Sequence, residues 1–212
     1  MTITKNILTA IALITTNQAF SQQAATVSPD WQKSIVLLDI TRNNHNFRVP
    51  WDKRAQSASK FGVVLEGKEL ITTAIGLANH TLIRIQKGGR GKWTNGKVLW
   101  IDYQANLAIL GVEDDDFWND LTPVKFADAK GLKENLQVIR WRGGNIEKRA
   151  AEFSRFTVAD ANFNQAPRIE LKASSEIEGA GQAELMVSGD KVVGLVARKI
   201  SGNCSVIPAP FI

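Results

Sequence analysis

Nucleophiles and bases are scarce in this sequence. Cys204 is the single cysteine, and His45 and His80 are the two histidines. A Cys204–His80 pair would combine a thiol with a base that takes its proton. Ser174 and Ser175 are hydroxyls that a base would activate in the same way. Nothing in the spacing brings these groups together, and each has a plain structural reading. Cys204 reads as a small buried hydrophobe, and the serines and His80 as loop polars. One cysteine closes no intrachain disulfide, so the core must hold by burial. No Cys/His run has zinc-ligand spacing, and neither a metal nor another cofactor is expected.

The elements available to position such groups are short strands. Runs of four to eight residues rich in Val, Ile and Leu fall at 34–40, 61–65, 70–73, 82–86, 96–101 and 107–112, then at 136–141, 153–158, 168–172, 184–187, 192–198 and 205–207. Gly, Asn, Asp or Lys bounds most of them. Leu82-Ile83-Arg84-Ile85-Gln86 and Arg168-Ile169-Glu170-Leu171-Lys172 alternate apolar and polar residues, as half-buried strands do. Ser188-Gly189-Asp190 reads as a hairpin turn. No long segment has helical periodicity. Eleven or twelve such strands predict a β-barrel or sandwich protein, with the polar interval 119–134 as the internal boundary.

Three segments in order resemble the trypsin-like serine proteases of the bacterial HtrA type. Phe61-Gly62-Val63-Val64-Leu65 and, after a turn, Leu70-Ile71-Thr72-Thr73-Ala74-Ile75 are similar to the strand pair ending in that family's general-base histidine. Asp102-Tyr103-Gln104-Ala105-Asn106-Leu107-Ala108-Ile109-Leu110 resembles the segment bearing its aspartate. Glu178-Gly179-Ala180-Gly181-Gln182-Ala183-Glu184-Leu185, followed by Lys191-Val192-Val193-Gly194-Leu195, resembles its nucleophile loop and next strand. Ser205-Val206-Ile207-Pro208-Ala209-Pro210 is similar to its final strand. The likeness covers residues 34–210 and implies an all-β fold of two six-stranded antiparallel β-barrels, 34–122 and 134–212, with the site between them.

The same resemblance places the catalytic triad at Ile75, Asn106 and Gly181. Ser-His-Asp catalysis needs a hydroxyl to attack, an imidazole to accept its proton and a carboxylate to fix the imidazole. Ile75 accepts no proton and Gly181 has no side chain, so no catalytic residue is assigned. No histidine lies within four residues of Ile75, and no Ser, Thr or Cys within five of Gly181. By the same resemblance the backbone amides of Gly179 and Gly181 stand where the oxyanion hole would be, able to bind a carbonyl or anion; a plain glycine-rich turn is the alternative reading of the same residues. Gln182-Ala183-Glu184 replaces the family's Gly-Gly-Pro, so the loop's path is open. HtrA-type proteins commonly carry C-terminal PDZ domains; the chain ends at Ile212 just after the last expected strand, and recognition through such a domain is not expected.

The formal charge is +5, spread along 212 residues. Basic segments such as Lys87-Gly-Gly-Arg90-Gly-Lys92 and Arg140-Trp-Arg142 read as solvated loops, and nucleic acid is not expected as a partner. At the N-terminus Lys5 precedes an apolar run at 7–15, too short to span a bilayer, and Ala19-Phe20-Ser21 has small residues at the −3 and −1 positions of a cleavage site. Residues 1–21 therefore read as a signal peptide cleaved after Ser21, with no stable membrane span afterwards. That directs the chain to the periplasm or the medium. The function expected is a pseudoprotease that binds a peptide, an unfolded protein segment or a protein partner. An active hydrolase using unrecognised residues and a structural subunit of an envelope assembly are the alternatives.

Overall fold

The computed structural model describes residues 30–51, 53–159, 167–179 and 181–212. The signal-peptide reading lies outside them. The strands are β1 (Ile35–His45), β2 (Lys53–Leu65), β3 (Glu69–Thr72), β4 (His80–Lys87), β5 (Trp93–Asp102) and β6 (Leu107–Val112), then β7 (Leu136–Arg142), β8 (Asn145–Ala159), β9 (Arg168–Ser175), β10 (Leu185–Ser188), β11 (Lys191–Ile200) and β12 (Asn203–Pro208). They close into two antiparallel barrels, β1-β2-β3-β6-β5-β4 and β10-β11-β12-β9-β8-β7. Read from its first strand, the second barrel repeats the order of the first. The expected all-β fold of two six-stranded barrels is therefore what forms.

Burial explains why these segments pair as they do. Val36, Leu38, Ile40, Val64, Leu70, Ile83, Ile85 and Leu110 fill the first barrel; Val138, Leu171, Ala173, Met186, Val193, Val196, Cys204 and Val206 fill the second. In β4 the expected alternation puts Ile83 and Ile85 inside and leaves Leu82 outside. In β9 it holds only from Leu171 onward. Ile169 is exposed, and Glu170 is buried on the opposite face between Arg168 and Lys172, which bond it at 2.9 and 2.8 Å. Residues two apart share a face of a strand, so the two cations cover the acid there.

The first hairpin is longer than its apolar run predicts. β1 and β2 pair for eleven residues, from Ile35↔Val63 to His45↔Lys53. The outer part of β2 is polar or small and has no apolar period, so pairing alone defines it. The same holds for β8, which starts eight residues before its expected apolar segment.

A third apolar cluster joins the barrels. Ile35, Phe61, Val63, Ile71 and Leu107 of the first pack with Ile139, Trp141, Leu185, Leu195 and Ile207 of the second. Trp141 also donates its indole N–H to the Ile35 carbonyl at 2.8 Å, fully inside this seam. Arg140 and Trp141 are thus not the solvated loop that their basic sequence suggests: both are buried in β7. The connection between the barrels follows the seam. Val124 N–H bonds Val64 O, and Val192 N–H bonds Lys125 O. Among the described residues no helix is long and apolar enough to cross a membrane.

Candidate functional site

Asn106 opens β6 from a left-handed backbone, φ +58°, a region that asparagine tolerates better than most residues. Its fully buried side chain accepts the Ile75 N–H at 3.0 Å, and its carbonyl accepts from Ala74. Ile75 and Asn106 therefore lie together, joined through the backbone of Ile75, whose side chain is half exposed. Asn106 Nδ2 is buried with no acceptor among the described residues. An acid at this place would present an acceptor in its stead.

Lys60, which the sequence reading did not single out, lies beneath the same loop. It is 2% exposed, and its ammonium donates to the carbonyls of Thr73 and Ile75, the latter at 2.8 Å. Burial lowers it to about 7, more than the negative charge of Glu184 raises it. No hydroxyl or thiol is among its hydrogen-bond partners, so it has the proton affinity of a base without a nucleophile to serve. The next residue connects the two halves of the site, since Phe61 N–H bonds Gln182 O at 2.9 Å across the barrels.

Gly181 and its neighbours form the third position. The N–H groups of Gly181 and Gln182 both point at Oε2 of Glu184, each at 2.7 Å. The carboxylate is 1% exposed, and its other oxygen lies 3.9 Å from Arg140 Nη1. Arg140 is itself fixed by Glu147 at 2.9 Å. Burial raises the pKa of Glu184, against the pull of the backbone N–H groups and Arg140. The amides that converge here are those of Gly181 and Gln182, not the Gly179–Gly181 pair, and they are filled from inside the chain. Gly179 turns beside it at φ +63°, within 4.0 Å of Arg140 Nη1 when a Cβ is built on it.

The backbone leaves Gly181 no room for a nucleophile. At φ +119° an L side chain is strained, and a Cβ would stand 2.9 Å from Lys199 N and 3.2 Å from Arg198 Cα. These are main-chain atoms of β11 and cannot rotate away.

The other nucleophile candidates lie apart. Cys204 is in the second barrel's core, where burial raises its thiol pKa. His80 opens β4 of the first barrel, with Nδ1 2.8 Å from Leu77 O. Ser175 is spent on Ala150 O at 3.0 Å, and Ser174 is exposed on β9. One signal for the missed residues was in the sequence. An acid three places after Gly181, where the related loop has a small residue or proline, is close enough to fold back onto its amides.

Two closed six-stranded barrels of matching strand order, with these loops meeting in the seam, define the trypsin-like serine protease fold. Comparison with known proteins agrees. No family model matches the chain, but it is homologous to plant and protozoan proteins named as Do-like or DegP proteases. It is 29% identical to putative protease Do-like 13 of Arabidopsis thaliana over 84% of this chain and 38% of that protein. It is 24% identical to a serine protease DegP homolog of Plasmodium falciparum over 85% of this chain and 21% of that one. The chain spans only about a fifth to two fifths of these relatives. Among solved structures, a protease of M. tuberculosis in its active form superposes with TM-score 0.66 at 16% identity, covering 84% of this chain and 77% of that one. The HtrA-type protease AlgW with decapeptide gives 0.65 at 13%, covering 84% and 62%.

Proposed function

We propose that this chain is an exported, catalytically silent trypsin-like protease homologue that binds extended peptide or unfolded protein segments. The observation that carries the silent part is Glu184 in the amide nest of Gly181 and Gln182. A nest holding a carboxylate has no free donor for a developing oxyanion, and Gly181 has nothing with which to attack. The proton acceptor is missing too, since Ile75 stands in its place.

Binding rests on the sheet edge that remains. β10 pairs with β11 only as far as Leu195, and Ala183 and Glu184 bond Val196 beyond it. From Ala197 to Ile200 no described strand pairs with β11 on that side, beside the filled nest. Gly181 packs against the main chain at Arg198 and Lys199, so an extended chain would add as a strand at the outer end of this edge, toward Ile200. Export rests on residues 1–21, whose charge, apolar run and small residues match a cleavable leader.

Purified protein should not label with a fluorophosphonate and should not degrade casein, while unfolded casein or an unstructured peptide binds at micromolar concentrations by calorimetry. Casein turnover that tracks the purified protein, or no binding at those concentrations, defeats the reading. Mature protein whose N-terminus starts at Gln22 in the exported fraction would support export; intact Met1 in the cytoplasm would count against it.

A further inference from the structure

The tip of the first hairpin carries the most exposed large apolar side chains in the described structure. Phe47 is 93% exposed and Trp51 82%. The turn that presents them is ordered by Asn46, whose Oδ1 accepts N–H groups of Arg48 at 3.0 Å and Val49 at 3.3 Å. β4 flanks β1 no further than Arg42, and the outermost backbone bond to the barrel's loops among the described residues is Asn43 N–H to Asn79 O. Two more β1–β2 pairs follow, so the ribbon stands out by about 7 Å before the turn begins.

We propose that this tip docks on an anionic lipid surface, with Phe47 and Trp51 entering the headgroup region. Size argues against a protein partner. Two aromatic side chains offer at most about 500 Å² together, whereas a stable protein interface takes about 800 Å² from each side. A lipid surface sets no such threshold, and aromatic rings settle at its polar boundary. The reach fits as well, because interfacial elements sink about 5–10 Å. Charge selects the lipid: the sequence from Asn46 to Arg54 holds Arg48, Lys53 and Arg54 against one acid, Asp52.

The test is co-sedimentation of the full chain with vesicles of phosphatidylcholine and phosphatidylglycerol, against vesicles of phosphatidylcholine alone. Binding to the anionic vesicles should weaken at raised salt and fall at least tenfold in the double variant Phe47→Ser, Trp51→Ser. Both positions are exposed, so circular dichroism should not change. Equal binding by the native and double-variant chains assigns attachment to another segment, such as the apolar run at 7–15, and overturns the proposal. Absence of binding overturns it too, as does a concentration-dependent dimer that the same two substitutions abolish.

Discussion

Lys60, bonded to the Ile75 carbonyl, and Glu184, bonded to the Gly181 amide, are a buried cation and a buried anion whose titration is open to measurement. Burial lowers Lys60 to about 7. Between about 7 and the ordinary lysine value of 10.5, the unfolded chain keeps a proton that the folded chain has released. Lys60 therefore makes stability rise with pH across that window, and below about 7 the folded state bears the whole cost of the buried ammonium. Lys60→Met should flatten the rise between pH 7 and 10 by an amount on the order of a few kcal/mol, read from urea midpoints. An unchanged slope would show that Lys60 does not titrate there. Glu184→Ala should cost about 2–4 kcal/mol, because two N–H groups and Arg140 lose their acceptor. Glu184→Gln, whose amide oxygen can still accept the N–H groups, should cost less; equal losses would mean that the nest does not depend on that acceptor.

At the scale of elements, β7 ties the barrels together through Trp141. Its ring lies on the Gly89 backbone, where a Cβ would come within 3.3 Å of the indole at a φ of +59°. Trp141→Phe keeps most of the ring but removes the donor to Ile35 O. We expect a loss of about 1–3 kcal/mol in guanidinium unfolding with an unchanged slope, and no loss would deny the bond any role. This seam also marks how far the sequence can be read. All twelve apolar runs became strands, because burial of Val, Ile and Leu at period two is a local signal. The outer half of β2, Arg140, Trp141 and Lys60 were not legible, because their places are set by partners many positions away. Ile75, Asn106 and Gly181 were singled out by the family resemblance; the structure bonds Asn106 to the Ile75 N–H. That the amides near Gly181 would be occupied by Glu184 depends on the loop's path, which no spacing rule supplies.

At the scale of the whole molecule, two barrels share one apolar seam and a connection bonded to both. Inter-domain contacts that are small and polar allow independent motion; this one is continuous with the cores and contains Ile35, Leu185 and Trp141. The barrels should melt together, giving a single calorimetric transition whose van't Hoff and calorimetric enthalpies agree. Two resolved transitions would contradict the shared core.

The carboxylate of Glu184 has a further consequence for how such a chain can change. A serine at position 181 would meet the β11 backbone, a histidine at 75 would have no hydroxyl to serve, and removing Glu184 alone would bare two donors with no substrate chemistry to use them. Each single step toward hydrolysis costs stability or gains nothing. On the proposed reading as a silent homologue, the absence of cutting is latched: only several simultaneous replacements, with a repositioned loop, lead back.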